Sequence, residues 1–126
     1  MKMNELVKIT LPAHKRLIKL SKLSNNNGIF YSVKGGGCNR FDFKTKMEKH
    51  SYQYNLAPMQ DEPSYLMHCV DMESYKLYIC EYSFKHLANS TIHWEKNLMN
   101  ERFDFENPNA EYVYKCKNSF ISKHKV

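Results

Sequence analysis

The chain has 126 residues, of which 42% are hydrophobic and 25% are charged. This length and balance predict one globular domain with a single core, and no apolar run is long enough to insert into a membrane. The net charge of +6 comes from 16 Lys and 3 Arg against 13 acidic residues. A basic chain suits RNA or an acidic protein surface as a partner, but the excess of Lys over Arg is also typical of an A/T-rich gene.

A basic amphipathic helix is predicted near the start, in ITLPAHKRLIKLSKL, from the helical spacing of its apolar residues. Thr10 suits the cap position and Pro12 the first turn. The lysines of this helix are Lys15, Lys19 and Lys22. Such lysines usually form a solvated face, and a partner-binding face is the alternative interpretation.

The stretch YSVKGGGCNRF holds three of the four glycines, Gly35, Gly36 and Gly37, directly before Cys38. Glycine lets another group approach the backbone closely, so the run predicts a tight loop that presents the cysteine. No Gly-Lys-Ser/Thr follows, which excludes a phosphate-binding loop. A hairpin turn with an incidental buried cysteine remains the alternative. We expect strands on both sides, at residues 29–33 and 40–44.

Short strands follow after the turn signals of the middle segment. The pattern predicts one at 51–56 and two more in YLMHCV and SYKLYICEY, the latter with Tyr75, Leu77 and Ile79 on one face. A short helix begun by Ser83 is predicted in SFKHLAN. Strands are then predicted in STIHWEK and ERFDFENPN, the second ending in a turn at Asn107-Pro108.

These elements predict a mainly β (α+β) fold. Many short strands between turns favour a sandwich or a partly closed barrel, with one helix in front and one short late helix. An α/β nucleotide fold lacks the alternating helices that it requires. We divide the chain into a core domain at 1–109 and a basic tail at 110–126 that carries Cys116. Because this tail is polar, it cannot bury enough apolar surface to offset the entropy lost when it becomes ordered. We therefore expect a metal or a neighbouring macromolecule to hold it.

The cysteines are Cys38, Cys69, Cys80 and Cys116, and no two of them form a C-x-x-C pair. This spacing excludes a zinc ribbon. The N-terminus lacks the apolar core of a secretory signal, so we expect a reducing compartment in which free thiols or metal ligands are favoured over disulfides.

The segment SFKHLANSTIHWEKNLMNERFDFENPN, followed by YKCKNSF, resembles the HesB-like, or A-type, iron-sulfur cluster carriers. Phe103, Phe105 and the Asn107-Pro108-Asn109 turn match the family's F-x-F-x-N-P-N element. The family's terminal Ser-Phe is matched by residues 119 and 120. The resemblance runs from about Val7 to Phe120 and implies the HesB-like β fold.

The resemblance also implies a cofactor, iron or a [2Fe-2S] cluster shared between subunits. The family's ligands are one cysteine on the glycine loop, here Cys38, and a C-x-C pair, of which Cys116 is the second. Tyr114 stands at the first position, where it is a doubtful phenolate ligand. Gly35, Gly36 and Gly37 would bring backbone N–H groups to the cluster. A homodimer, or a pair with a family relative, would supply four thiolates.

The resemblance implies a place in the mitochondrial matrix or the cytoplasm. The missing third cysteine and the Asn39-Arg40 pair after the loop cysteine support a second hypothesis, a degenerate domain kept as a structural subunit of a larger, possibly RNA-containing assembly. In that case the helix lysines, with Lys115 and Lys117, would contact phosphates or acidic neighbours.

The remaining polar and aromatic candidates are interpreted as structural. Cys69 and Cys80 are expected to be small buried hydrophobic residues in strands. Trp94 is expected in the core, and His68, His86 and His93 are not expected to be functional. No Ser-His-Asp or paired-carboxylate set can be assembled, so we do not expect an enzyme.

Overall fold

A computed structural model describes residues 7–24, 26–35, 51–60, 67–115 and 117–124. Within these ranges the chain forms two helices and nine strands. They are β1 (Val7–Ile9), α1 (Leu11–Ser21), β2 (Gly28–Gly35), β3 (Ser51–Pro58), β4 (His68–Asp71), β5 (Lys76–Ile79), α2 (Glu81–Leu87), β6 (Ser90–Lys96), β7 (Glu101–Glu106), β8 (Ala110–Val113) and β9 (Ser119–Ser122). The predicted mainly β fold with one early and one short late helix is confirmed.

The strands form two mixed sheets, one of three strands in the order β1-β6-β7 and one of six in the order β4-β5-β2-β3-β9-β8. The pairs β1–β6 and β2–β5 are parallel, and the other pairs are antiparallel. The sheets meet through aromatic rings, since Phe105 of β7 stacks on Tyr54 of β3 with the ring centroids 4.2 Å apart. Among the described strands this is an open sandwich and not a closed barrel.

The first helix packs on the core through Ala13 and Leu17, with Ile18 and Leu20 partly buried beside them. Ala13 and Leu17 are fully buried, and Pro12 lies in the first turn as predicted. Thr10 is the N-cap residue, but its hydroxyl donates to the Ile92 carbonyl of β6, at 3.3 Å, and not to the helix. The threonine therefore ties α1 to the smaller sheet. Neither of the described helices is long and apolar enough to span a membrane.

Several predicted strands and faces are confirmed. Tyr75, Leu77 and Ile79 are all buried in the core, with exposures of 1% or less. The strand predicted in STIHWEK is β6, and the strand predicted at 51–56 is β3 with two further residues. The strand predicted at 40–44 lies outside the described residues.

The start of the late helix was predicted wrongly. The helix begins at Glu81 with Cys80 as its N-cap, so Cys80 is not in a strand and Ser83 lies inside the helix. The hydroxyl of Ser83 is used elsewhere, because it accepts the N–H of Val33 in β2 at 3.1 Å. A tertiary contact thus replaced the local capping role that the sequence suggested.

The C-terminal segment is held by the chain's own core. Strand β9 pairs with β3, and Phe120 is fully buried between aromatic neighbours of that strand. The expectation that this segment needs a metal or a neighbour to become ordered is therefore wrong for β8 and β9. The division at residue 109 stays a prediction, and the sheet pairing runs across it.

Candidate functional site

The predicted ligand cysteines Cys38 and Cys116 lie outside the described residues, as do Gly36 and Gly37. The last described residue on the N-terminal side of Cys38 is Gly35, which ends β2. Gly35 pairs with Tyr52 of β3. Among the described residues, a Cβ built on Gly35 would meet no atom within 4 Å. No described neighbour therefore crowds the end of β2.

The hairpin between β8 and β9 flanks position 116. The N–H of Tyr114 donates to the Ser119 carbonyl at 3.0 Å, and the N–H of Lys117 donates to the Tyr114 carbonyl at 2.8 Å. Lys117 has a positive φ of 60°, which the turn requires. Tyr114 thus contributes its backbone to closing this hairpin.

Strand β3 lies between β2, which leads into the glycine loop, and β9, which follows Cys116. Tyr52 pairs with Gly35 of β2 on one side and with Phe120 of β9 on the other. Two strand spacings, about 10 Å, therefore separate the end of the glycine-loop strand from the strand that follows Cys116. The shared pairing with Tyr52 therefore fixes the position of Gly35 relative to Phe120.

Helix α2 supports the glycine-loop strand through Ser83, which is fully buried. The pairing of β2 with β5 ends before Val33, and the Ser83 hydroxyl takes the place of a strand partner by accepting the Val33 N–H. The Cys80 thiol donates to the same hydroxyl, with 3.2 Å between Sγ and Oγ. Because an unpaired buried N–H is costly, this contact stabilises β2 two residues before the loop.

The same helix supports the C-terminal strand through His86, which is fully buried. Its Nδ1 lies 2.7 Å from the Ser122 hydroxyl of β9, and its ring stacks on Tyr52 at a centroid distance of 4.3 Å. Burial, with smaller contributions from Lys85 and His124, lowers the pKa of His86 to about 4. The imidazole is therefore neutral at pH 7, and α2 contacts both β2, which leads to the glycine loop, and the end of β9 that is remote from Cys116.

The N-P-N turn explains how α2 ends. Asn107 donates its side-chain amide to the His86 carbonyl at 2.8 Å, and Asn109 donates to the Ala88 carbonyl at 2.8 Å. The last carbonyls of a helix have no partner within it, so these amides satisfy them. The sequence showed this element as a match without a role, and the structure shows that it holds the C-terminal end of α2.

The other cysteines and histidines lie in structural positions. Cys69 is half-buried in β4, where burial raises the pKa of its thiol and keeps it protonated. The Nε2 atom of His68 lies 2.9 Å from the carboxylate of Glu81, and that of His93 lies 3.0 Å from the carboxylate of Glu106, both on the surface. Within the described ranges no three His, Cys, Asp or Glu residues are grouped to hold a metal ion.

Trp94 and the predicted partner-binding lysines also have defined places. Trp94 is partly buried against the core, with the Arg16 guanidinium 4.7 Å from its ring centroid. The lysines are exposed on two elements, with Lys15, Lys19 and Lys22 on α1 or its end and Lys115 and Lys117 in the β8–β9 hairpin. The structure does not test whether they bind a partner.

No protein-family model matches the chain. It is 32% identical over 105 residues to the iron-sulfur cluster insertion protein ErpA of Legionella pneumophila strain Paris, a match covering 82% of this chain and 75% of that protein. The ErpA of Marinobacter nauticus is 27% identical over 88 residues, which is 70% of this chain and 69% of the relative.

Solved structures share the fold. A crystal structure of IscA with the [2Fe-2S] cluster superposes with a TM-score of 0.74 at 20% identity, over 94% of this chain and all of the other. Escherichia coli SufA, a protein involved in the biosynthesis of iron-sulfur clusters, gives a TM-score of 0.62 at 18% identity, over 84% and 89% of the two chains. Together with the sequence relatives, they show that the chain belongs to the HesB-like family of A-type iron-sulfur cluster carriers.

Proposed function

We propose that this protein carries an iron-sulfur cluster, or iron destined for one, and passes it to a recipient protein. The metal is cargo, bound and released without a catalytic step. The observation that carries the proposal is the similarity to the ErpA insertion proteins over most of the chain, together with a cysteine on the glycine loop. The bacterial relatives favour the cytoplasm as its place of action over the mitochondrial matrix.

The donor set of the proposed site is Cys38 and Cys116 from each of two chains. Thiolates suit iron-sulfur clusters because the soft sulfur donor matches the metal, and four of them are the usual number. One chain supplies two, so the site is complete only in a homodimer or in a pair with a family relative. Tyr114 replaces the third cysteine of the family and is not needed as a ligand in this arrangement.

The described residues act in this proposal by holding the ligand-bearing segments. Ser83 of α2 holds β2 near the glycine loop, and His86 holds the end of β9 that is remote from Cys116. Strand β3 lies between β2 and β9, which are therefore about 10 Å apart. The glycine loop, Gly35 to Gly37, would supply backbone N–H groups to the cluster sulfides. The backbone on either side of position 116 is anchored by the hydrogen bond between Tyr114 and Ser119.

Anaerobic reconstitution with ferrous iron and sulfide tests the proposal, with visible absorption and circular dichroism as the readouts. We expect the wild type to gain charge-transfer bands that Cys38→Ser and Cys116→Ser each abolish. The matched control is the Cys69→Ser/Cys80→Ser variant, which removes two thiols elsewhere and should keep the bands. If all four proteins load the same negligible amount of iron, the carrier proposal is wrong.

A structural subunit in a larger assembly is the second candidate, favoured by Tyr114 in place of a ligand cysteine. It predicts that the untagged protein sediments with a large complex at low salt and is released as the salt concentration rises, because charge contacts are screened. Sedimentation of the iron-free protein as a free monomer or dimer at every salt concentration would contradict this candidate.

A further inference from the structure

The net charge of the protein is concentrated in its first three described elements. Residues 7–35 contain six basic residues and no Asp or Glu, so their charge equals the +6 of the whole chain, and the remaining 13 basic and 13 acidic residues cancel. The six are Lys8, Lys15, Arg16, Lys19, Lys22 and Lys34. The basic character of the protein is therefore a property of β1, α1 and β2.

On α1 these charges lie in an ordered row. Leu11, Lys15, Lys19 and Leu23 follow one another at intervals of four residues, and all four side chains are exposed. We call them the Leu–Lys ridge. The buried row of the helix, also spaced by four, is Ala13, Leu17 and Ser21. A shift of two residues turns about 200° around a helix, so Leu11, Lys15 and Lys19 lie on the face opposite the core. Leu23 follows two residues after the helix ends at Ser21.

Fold stability does not account for the ridge. Lys15 and Lys19 are like charges four residues apart, a spacing that slightly destabilises a helix. The ion pairs of the described residues use other side chains, and α1 contains no acid that could offset the repulsion. Arg16 differs, because it packs over Trp94.

The leucines at the two ends of the ridge are mostly exposed. Leu11 is 64% exposed and Leu23 is 67% exposed. A single exposed leucine is ordinary, but two that bracket two exposed lysines, one at the start of α1 and one just past its end, form a defined pattern. Such rows at intervals of four are the ridges that pack into grooves of a neighbouring protein.

We infer that the Leu–Lys ridge is a docking surface for an acidic protein. The partner would present carboxylates opposite Lys15 and Lys19, between two apolar pockets that receive Leu11 and Leu23. One pocket would lie at the start of α1 and the other just past its end. Charge complementarity brings the partner to this face, and the two leucines select a protein over a nucleic acid, whose phosphates offer nothing apolar to contact. Neither the lysines nor the leucines of this surface are cluster ligands, so docking does not require a bound cluster.

Three labelled probes test the inference by fluorescence anisotropy at low and moderate salt. The first is a helical peptide with glutamates flanked by leucines at four-residue intervals, the second is the same peptide with its leucines replaced by alanine, and the third is a 20-nucleotide single-stranded RNA. We expect the leucine peptide to bind the wild-type protein at least three-fold more tightly than the alanine peptide.

Two variants and one control complete the test. Lys15→Glu/Lys19→Glu should weaken binding of both peptides at least ten-fold, while Leu11→Ser/Leu23→Ser should remove only the preference for the leucine peptide. The control, Lys85→Glu/Lys123→Glu, makes the same change in net charge on other exposed residues and should leave binding within two-fold. Equal binding of the two peptides, equal effects of the two charge variants, or tighter binding of RNA would overturn the inference.

Discussion

Replacing Phe120 by alanine tests whether the C-terminal segment belongs to the protein's own core. The ring is fully buried, with centroids 4.7 Å from Tyr54 and 6.0 Å from Tyr52. A buried Phe→Ala change costs about 3–5 kcal/mol through lost transfer energy and the cavity left behind. Against a typical total of about 5–15 kcal/mol, this is a large fraction of the stability of the domain.

The assay is equilibrium unfolding of the metal-free protein in urea, together with a thermal scan. The expected loss corresponds to a fall in Tm of about 10 to 20 °C for a domain of this size. Tyr112→Ala is the matched control, because Tyr112 is an aromatic residue of the same segment with 51% of its surface exposed. If Phe120→Ala costs no more than Tyr112→Ala, the segment is not part of the core of the isolated protein and the reasoning fails.

Further predictions concern helix α2. Ser83→Ala should lower the free energy of unfolding by about 1–3 kcal/mol, because it leaves the buried Val33 N–H without its acceptor. The control Ser74→Ala changes an exposed serine and should have little effect. Equal losses in the two variants would contradict the role of Ser83. The pKa of His86 is about 4 in the folded protein, below the usual 6.5. As the pH falls, the histidine is therefore protonated in the unfolded chain before it is protonated in the folded protein. The free energy of unfolding should decrease as the pH drops from about 6.5 to about 4. His86→Gln should flatten this part of the stability profile, measured by urea unfolding at several pH values, whereas the surface control His93→Gln should not; an unchanged slope in His86→Gln would refute the assignment.

The sequence predicted those elements whose local pattern and tertiary environment agree. Alternation at Tyr75, Leu77 and Ile79 indicated a strand with one buried face, and that face lies in the core. The family was also recognisable, because the F-x-F-x-N-P-N element and the terminal Ser-Phe are contiguous and therefore visible in one sequence.

Contacts between distant residues could not be predicted in the same way. Strand β9 looks polar because two of its four residues are serines, yet Ser119 and Ser122 are both buried, and Ser122 is paired with His86. Ser83 resembles a capping residue, but its hydroxyl bonds a strand 50 residues away along the chain. Both Ser122 and Ser83 are buried because a distant residue supplies a hydrogen-bond partner, and the local sequence does not show that partner.

The glycine loop and its cysteine show the limit most clearly. The sequence predicts Gly36, Gly37, Cys38 and Cys116 as the site, and these residues lie outside the described part of the chain. The structure instead defines what surrounds them, namely the end of β2, the hairpin before β9 and the helix that contacts both strands. The ligand assignment therefore remains a prediction supported by the family.

Native mass spectrometry of the anaerobically reconstituted protein tests the central claim most directly, because it counts chains, irons and sulfides in one particle. The account predicts a dimer that carries one [2Fe-2S] cluster and loses it in Cys38→Ser and in Cys116→Ser, while Cys69→Ser/Cys80→Ser retains it. A cluster bound to a single chain, or a cluster that survives the loss of both Cys38 and Cys116, would contradict the account.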